Sequence, residues 1–185
     1  MNFNTRLFFK INNLVGKNKW LDAFGRAGAE WVILAMLGWF FTSAAYSSLP
    51  DLWLLTKKIL FLGLVLSLAW LTNNIVGLVV KQPRPYVVYS QTRVLLDPPP
   101  HFPNKTFPSD HTALALIIFL VAISLHLPWS GALFFLAMWV AWGRMYVGVH
   151  YPSDILGGVI VATIFNFIIQ FSLLPLFWYA VQNFK

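Results

Sequence analysis

The chain has 185 residues, of which 58% are hydrophobic and 10% charged, and its mean hydropathy is +0.68. A soluble domain carries about 25% charged residues, so this composition excludes an ordinary soluble protein and indicates one that lives in a bilayer. The net charge of +7 is dispersed, which argues against nucleic acid as a partner, and the absence of cysteine excludes disulfides, thiolate chemistry and Cys-based metal sites.

Residues 1–19 read as an amphipathic interfacial helix. Phe3, Leu7, Ile11 and Leu14 recur on one helical face, with Arg6 and Lys10 among polar neighbours. Lys10 interrupts the apolar stretch, so a cleavable signal peptide is not expected. Arg6, Lys10, Lys17, Lys19 and Arg26 suit contact with lipid headgroups.

Crossing a hydrocarbon core about 30 Å thick takes roughly 20 helical residues. Charge-poor runs of that kind predict spans at about 22–48, 58–80, 109–126, 128–146 and 154–174. The third and fourth come from one run too long for a single crossing, divided at Leu127-Pro128-Trp129-Ser130, where proline breaks a helix. Pro175 is expected to stop the fifth. The predicted fold class is thus all-α: one polytopic membrane bundle of about five transmembrane helices with an interfacial N-terminal helix. Residues 81–108 form a Pro-rich polar loop without evident secondary structure, and long loops of this kind carry function.

With five spans, the polar loop, the start of span three and the turn before span five emerge on one membrane face. They bring Lys81-Gln-Pro-Arg84-Pro85, Phe107-Pro108-Ser109-Asp110-His111 and Arg144-x5-His150-x3-Asp154 together. Two Arg, two His and an Asp at helix ends make a metal-free phosphoryl-transfer set. Arginine grips phosphate oxygens in a bidentate fork. The amides of Ser109, Asp110 and His111 fall at a helix N-terminus, which favours anions. Histidine serves as nucleophile or general acid near neutral pH. Asp154, four residues after His150, is placed to reach the imidazole and fix its tautomer.

These segments resemble the three signature motifs of the type-2 phosphatidic acid phosphatase superfamily, Lys-x6-Arg-Pro, Pro-Ser-Gly-His and Ser-Arg-x5-His-x3-Asp, over about residues 73–160. The resemblance implies that His150 attacks phosphorus to form a phosphohistidine and that Asp154 orients it. It implies that His111 protonates the leaving oxygen and then activates water, while Arg84, Arg144 and Ser109 hold the phosphate. It implies no cofactor and no metal. Gly77 stands where the family has its Lys, Asp110 replaces the Gly before His111, and Gly143 replaces the Ser before Arg144. The missing Lys and the Pro-Ser-Asp-His string are similar to the bacterial undecaprenyl-diphosphate phosphatase branch. That branch implies a polyprenyl diphosphate substrate, the inner membrane and a site facing the periplasm or exterior. Lys81, three residues before Arg84, is expected to supply the missing charge beside Asp110 in the phosphate-binding set.

His101 and Glu30 also look like residues that branch carries. His101 is either a solvent-facing loop residue or a phosphate contact. Glu30 either stays at the interface near Arg26 or projects toward the site. Ser109 can also act as an N-cap, a role compatible with phosphate contact. His126 reads as structural, Asn104-Lys105-Thr106 as a chance glycosylation sequon, and Asn73 and Asn74 as packing groups inside span two. Other readings stay open: a phosphatase for phosphatidylglycerol phosphate, phosphatidate or lipid A phosphate, a lipid phosphotransferase, or a non-catalytic headgroup binder or transporter.

Overall fold

The computed structural model describes residues 2–96 and 105–183, so His101 lies outside the described residues. Every regular element among them is helical. They are α1 (Phe3–Asn12), α2 (Lys19–Glu30), α3 (Val32–Ser48), α4 (Leu52–Val80), α5 (Pro85–Val88), α6 (Asp110–Ser124), α7 (Gly131–Tyr146), α8 (Pro152–Ile168) and α9 (Leu174–Asn183). A π-helical turn, Ile169–Leu173, joins the last two.

Several helices start on a side chain able to satisfy free backbone donors. Asn2 accepts from the amide of Thr5, Asn18 from those of Trp20 and Leu21, and Asp51 from that of Leu54. The bundle core is mostly apolar, with Ser43, Lys58, Asn73 and Ser124 among the buried polar side chains. Met36 and Phe40 of α3 share it with Leu62 and Val65 of α4, Ile117 and Val121 of α6, Leu133 and Val140 of α7, and Ala162 of α8. The outer surface is apolar as well, with Trp70, Leu71, Leu78, Val79, Phe167 and Phe171 exposed, as a lipid-facing surface requires.

Two stretches, Leu52–Val88 and Pro152–Asn183, are long and apolar enough to cross a bilayer, and α2 with α3 makes a third if that pair is one span bent by 55°. Length and composition therefore account for two or three of the five expected crossings. The remaining two expectations fall on α6 and α7, of 15 and 16 residues.

Three local expectations are corrected. Pro175 does not stop the last helix; it is the second residue of α9, which continues to Asn183. The π-helical turn just before it shifts the hydrogen-bond ladder, so the missing proline N–H falls where the regular pattern is already interrupted. Residues 81–108 are not wholly without secondary structure. Arg84 caps the short helix α5, and proline at its first position leaves no needed donor lost. In α1 the buried positions are Thr5, Phe8, Phe9 and Asn12 rather than the predicted stripe, while Phe3 and Leu14 are exposed.

That buried face of α1 braces the turn between α7 and α8. Asn4 and Ser153 bond reciprocally, Asn4 Nδ2 to Ser153 Oγ at 3.0 Å and Ser153 N to Asn4 Oδ1 at 3.0 Å. Asn12, fully buried, donates to the carbonyls of Tyr146 and Arg93 and accepts from the Arg93 amide. The Phe8 ring packs edge-on against Tyr151.

Candidate active site

The C-terminal ends of α4 and α7 and the N-terminal ends of α6 and α8 meet at one end of the bundle. Close backbone approach makes this meeting tight. A Cβ on Gly157 of α8 would come within 2.4 Å of the Phe107 ring, and one on Gly158 within 2.9 Å of the Ser109 carbonyl. The Phe107-Pro108-Ser109 segment thus lies directly on α8, and the Ser109 amide donates to the Asp154 carbonyl at 3.0 Å. Gly143 has the same kind of reason. A Cβ there would meet the Ala29 nitrogen at 2.7 Å, which leaves no room for the serine of the family pattern.

His150 sits in the turn between α7 and α8, buried, with Nδ1 3.4 Å from Asp154 Oδ2. Asp154 Oδ2 also accepts from the Tyr151 amide at 2.7 Å, so one oxygen caps α8 and faces the imidazole. Thr106 completes the network. Its hydroxyl donates to Asp154 Oδ2 at 2.6 Å and stands 3.2 Å from His150 Nδ1. A hydroxyl has one proton. With that proton on the carboxylate, Thr106 accepts from Nδ1–H, which leaves Nε2 as the free lone pair of a neutral ring. Burial pushes His150 down to about 4, opposed by its bond to Asp154 and reinforced by the charges of Arg144 and Arg84.

Arg84 reaches the Val149 carbonyl at 3.3 Å and Arg144 the Ala29 carbonyl at 3.1 Å, each from a buried position. Arg144 Nε has no partner among the described residues. Ser109 is the N-cap of α6, accepting from Thr112, and its own amide is committed to Asp154. Of the three amides expected to face an anion, those of Asp110 and His111 occupy the first helical positions, where no intrahelical acceptor exists.

His111, Arg144 and Glu30 line one cavity of about 370 Å³ with Ala29, Trp31, Leu96 and Val149. Glu30, the last residue of α2, lies at the bend and lines this cavity. Lys81 is exposed and caps α4 just past its last residue, in the left-handed region with φ 48°.

Two residues missed in the sequence stand beside the expected set, Thr106 and Lys105. Lys105 Nζ bonds Asp110 Oδ2 at 2.9 Å and Asn74 Oδ1 at 2.8 Å. Their signal was adjacency. Both directly precede the Phe107–His111 string, where a chance glycosylation match masked them.

Comparison with known proteins agrees with this geometry. The chain is 28% identical to undecaprenyl-diphosphatase BcrC of Bacillus subtilis over 172 residues, covering 89% of this chain and 81% of that protein. It is 42% identical over 65 residues to the putative undecaprenyl-diphosphatase YbjG of Escherichia coli, covering 35% of this chain and 33% of that one. The crystal structure of Aquifex aeolicus LpxE superposes with a TM-score of 0.66 at 26% identity, over 91% of this chain and 94% of that one. The PAP2 superfamily model matches residues 58–180, a stretch that contains Arg84, Ser109, His111, Arg144, His150 and Asp154, and the chain belongs to the PAP2 superfamily of membrane phosphatases.

Proposed function

We propose that the protein hydrolyses a polyprenyl diphosphate, undecaprenyl diphosphate to undecaprenyl phosphate, through a phosphohistidine on His150. The observation that carries the chemistry is the Thr106–Asp154–His150 network, whose hydrogen bonds leave Nε2 neutral and free. The diphosphate substrate is supported by the names of the two relatives together with Asp110 in the position of the family's glycine.

In this reading Nε2 of His150 attacks the terminal phosphorus as the bond to the bridging oxygen breaks. His111 donates a proton to that oxygen, releasing the lipid monophosphate. His111 then takes a proton from water, which attacks phosphorus, breaks the P–N bond and frees inorganic phosphate. Arg84, Arg144 and the amides at the start of α6 hold the phosphoryl oxygens, an electrostatic cradle for developing charge. Ser109 shapes that cradle, Asp110 and Lys81 belong to its charged rim, and Glu30 faces the headgroup from α2. His101 is assigned to the same mouth on the sequence resemblance.

The bundle crosses the membrane five times, by α2–α3 as one bent span, α4, α6, α7 and α8–α9. The site faces the periplasm or cell exterior of the cytoplasmic membrane, and the lipid tail stays in the bilayer.

Purified protein given undecaprenyl diphosphate, phosphatidylglycerol phosphate and phosphatidate separately is expected to release phosphate fastest from the diphosphate. Equal or greater rates on the monoesters would reject the substrate assignment. His150→Ala is expected to be inactive beside an active parent; a competent variant would reject the phosphohistidine.

A further inference from the structure

The sequence departs from its family by having Gly77 in place of a lysine, and the space above Gly77 is occupied. A Cβ built there would lie 2.8 Å from Cγ of Lys105 and 2.7 Å from its Cε. The Lys105 side chain therefore runs across the bare backbone of α4, along a groove that exists only because residue 77 lacks a side chain. It is 13% exposed and its ammonium is held at both ends of its reach, by Asn74 one turn earlier on α4 and by Asp110 at the first position of α6.

Asp110 raises an electrostatic problem that Lys105 answers. Asp110 stands at the first position of α6, at the end of the bundle where Arg84 and Arg144 also lie. A carboxylate among anion-binding arginines repels the phosphate they are to bind. A lysine on that carboxylate offsets the repulsion, and with Asp110 and Asn74 each taking one ammonium hydrogen, the third is left for a phosphate oxygen. Lys81 has no such placement, being exposed at the end of α4.

We infer that Lys105 is the phosphate-binding lysine of this site, relocated from α4 to the segment before α6, with Gly77 as its groove and Asp110 and Asn74 as its mooring. The three positions form one unit. The assignment rests on the phosphatase reading of the site, and its contact is with the terminal phosphate of the substrate.

The test uses the full-length protein in detergent with undecaprenyl diphosphate as substrate and pyrophosphate as competitor. Lys105→Met is expected to raise KM and weaken pyrophosphate inhibition by roughly tenfold to a hundredfold, the range for a charge-assisted hydrogen bond, with a much smaller change in kcat. Gly77→Ala, which puts a methyl into the groove, is expected to show the same pattern in weaker form. Gly77→Lys added to Lys105→Ala is expected to recover affinity by returning the ammonium from the α4 side. An unchanged KM and inhibition in Lys105→Met would overturn the assignment, and so would a double variant no better than Lys105→Ala. Thermal stabilisation by pyrophosphate, read on the same proteins, needs no turnover. A parent that binds pyrophosphate but cleaves no diphosphate lipid would refute the diphosphate-substrate reading, and an unchanged pyrophosphate stabilisation in Lys105→Met would then overturn the lysine assignment.

Discussion

His150 carries the clearest consequence at the residue scale. Its buried ring is held down at about 4 against an ordinary 6.5, so the folded protein resists protonating it. The unfolded chain binds that proton more readily between those values. The stability contributed by the neutral buried ring is therefore complete above about pH 6.5 and is lost as pH falls toward about 4. The acid limb of kcat/KM assigned to His150 is expected well below 6.5, measured on a short-chain diphosphate in detergent. A limb at the ordinary histidine value would show the ring to be wetter than this geometry allows. Thr106→Val, nearly isosteric, removes the hydroxyl from between Asp154 and the ring. It is expected to lower kcat roughly tenfold or more, the equivalent of one buried hydrogen bond, with little change in KM. His111→Ala is expected to cost about 10² to 10⁴ in kcat, less so on a substrate with a more acidic leaving group.

Helix packing sets the next scale, where α8 is the element on which the site depends. Gly157 lets the Phe107 ring lie against the helix at a distance no side chain permits. Gly157→Leu is expected to displace the segment carrying Thr106 and Ser109 and to destabilise the bundle by about 1–3 kcal/mol. Loss of activity together with a lowered melting temperature would be the observed pair; an active, fully stable variant would contradict the packing. α1 acts on the same region from outside through Asn4, Asn12 and Phe8. Its docking face was not legible in the sequence, where Phe3, Leu7, Ile11 and Leu14 suggested a different stripe. The buried positions include Thr5 and Asn12, whose partners lie far away in the chain and leave no local periodicity. The continuation past Pro175 was hidden for a related reason. A proline normally marks an end, and only the preceding π-helical turn makes it tolerable, a shift no residue pattern announces.

For the whole molecule, the expected number of crossings is the quantity to test. The absence of cysteine makes every introduced thiol unique. Ser90→Cys near the site and His126→Cys in the turn after α6 are both at exposed positions. If α6 crosses the membrane, a membrane-impermeant thiol reagent is expected to label them from opposite sides. Labelling from one side would remove α6 from the count of spans. The three motif segments converge here much as their order along the chain implies, because each borders a helix end that hydropathy already marks. Arg84, His111, Arg144, His150 and Asp154 were legible for that reason. Thr106 and Lys105 were not, since their contacts depend on an irregular segment lying against α8 and on a groove over Gly77. Those contacts arise between helices, and a single chain read in order does not display them.

Asp154 Oδ2 has a further consequence. The oxygen that accepts from the Tyr151 amide to begin α8 is also the one that faces His150 and Thr106. Nucleation of the helix and orientation of the ring draw on the same atom, so the ring is expected to reach its working position as α8 forms. Turnover is then a reporter of membrane assembly: during synthesis into a bilayer, the first catalytic events mark the moment α8 docks.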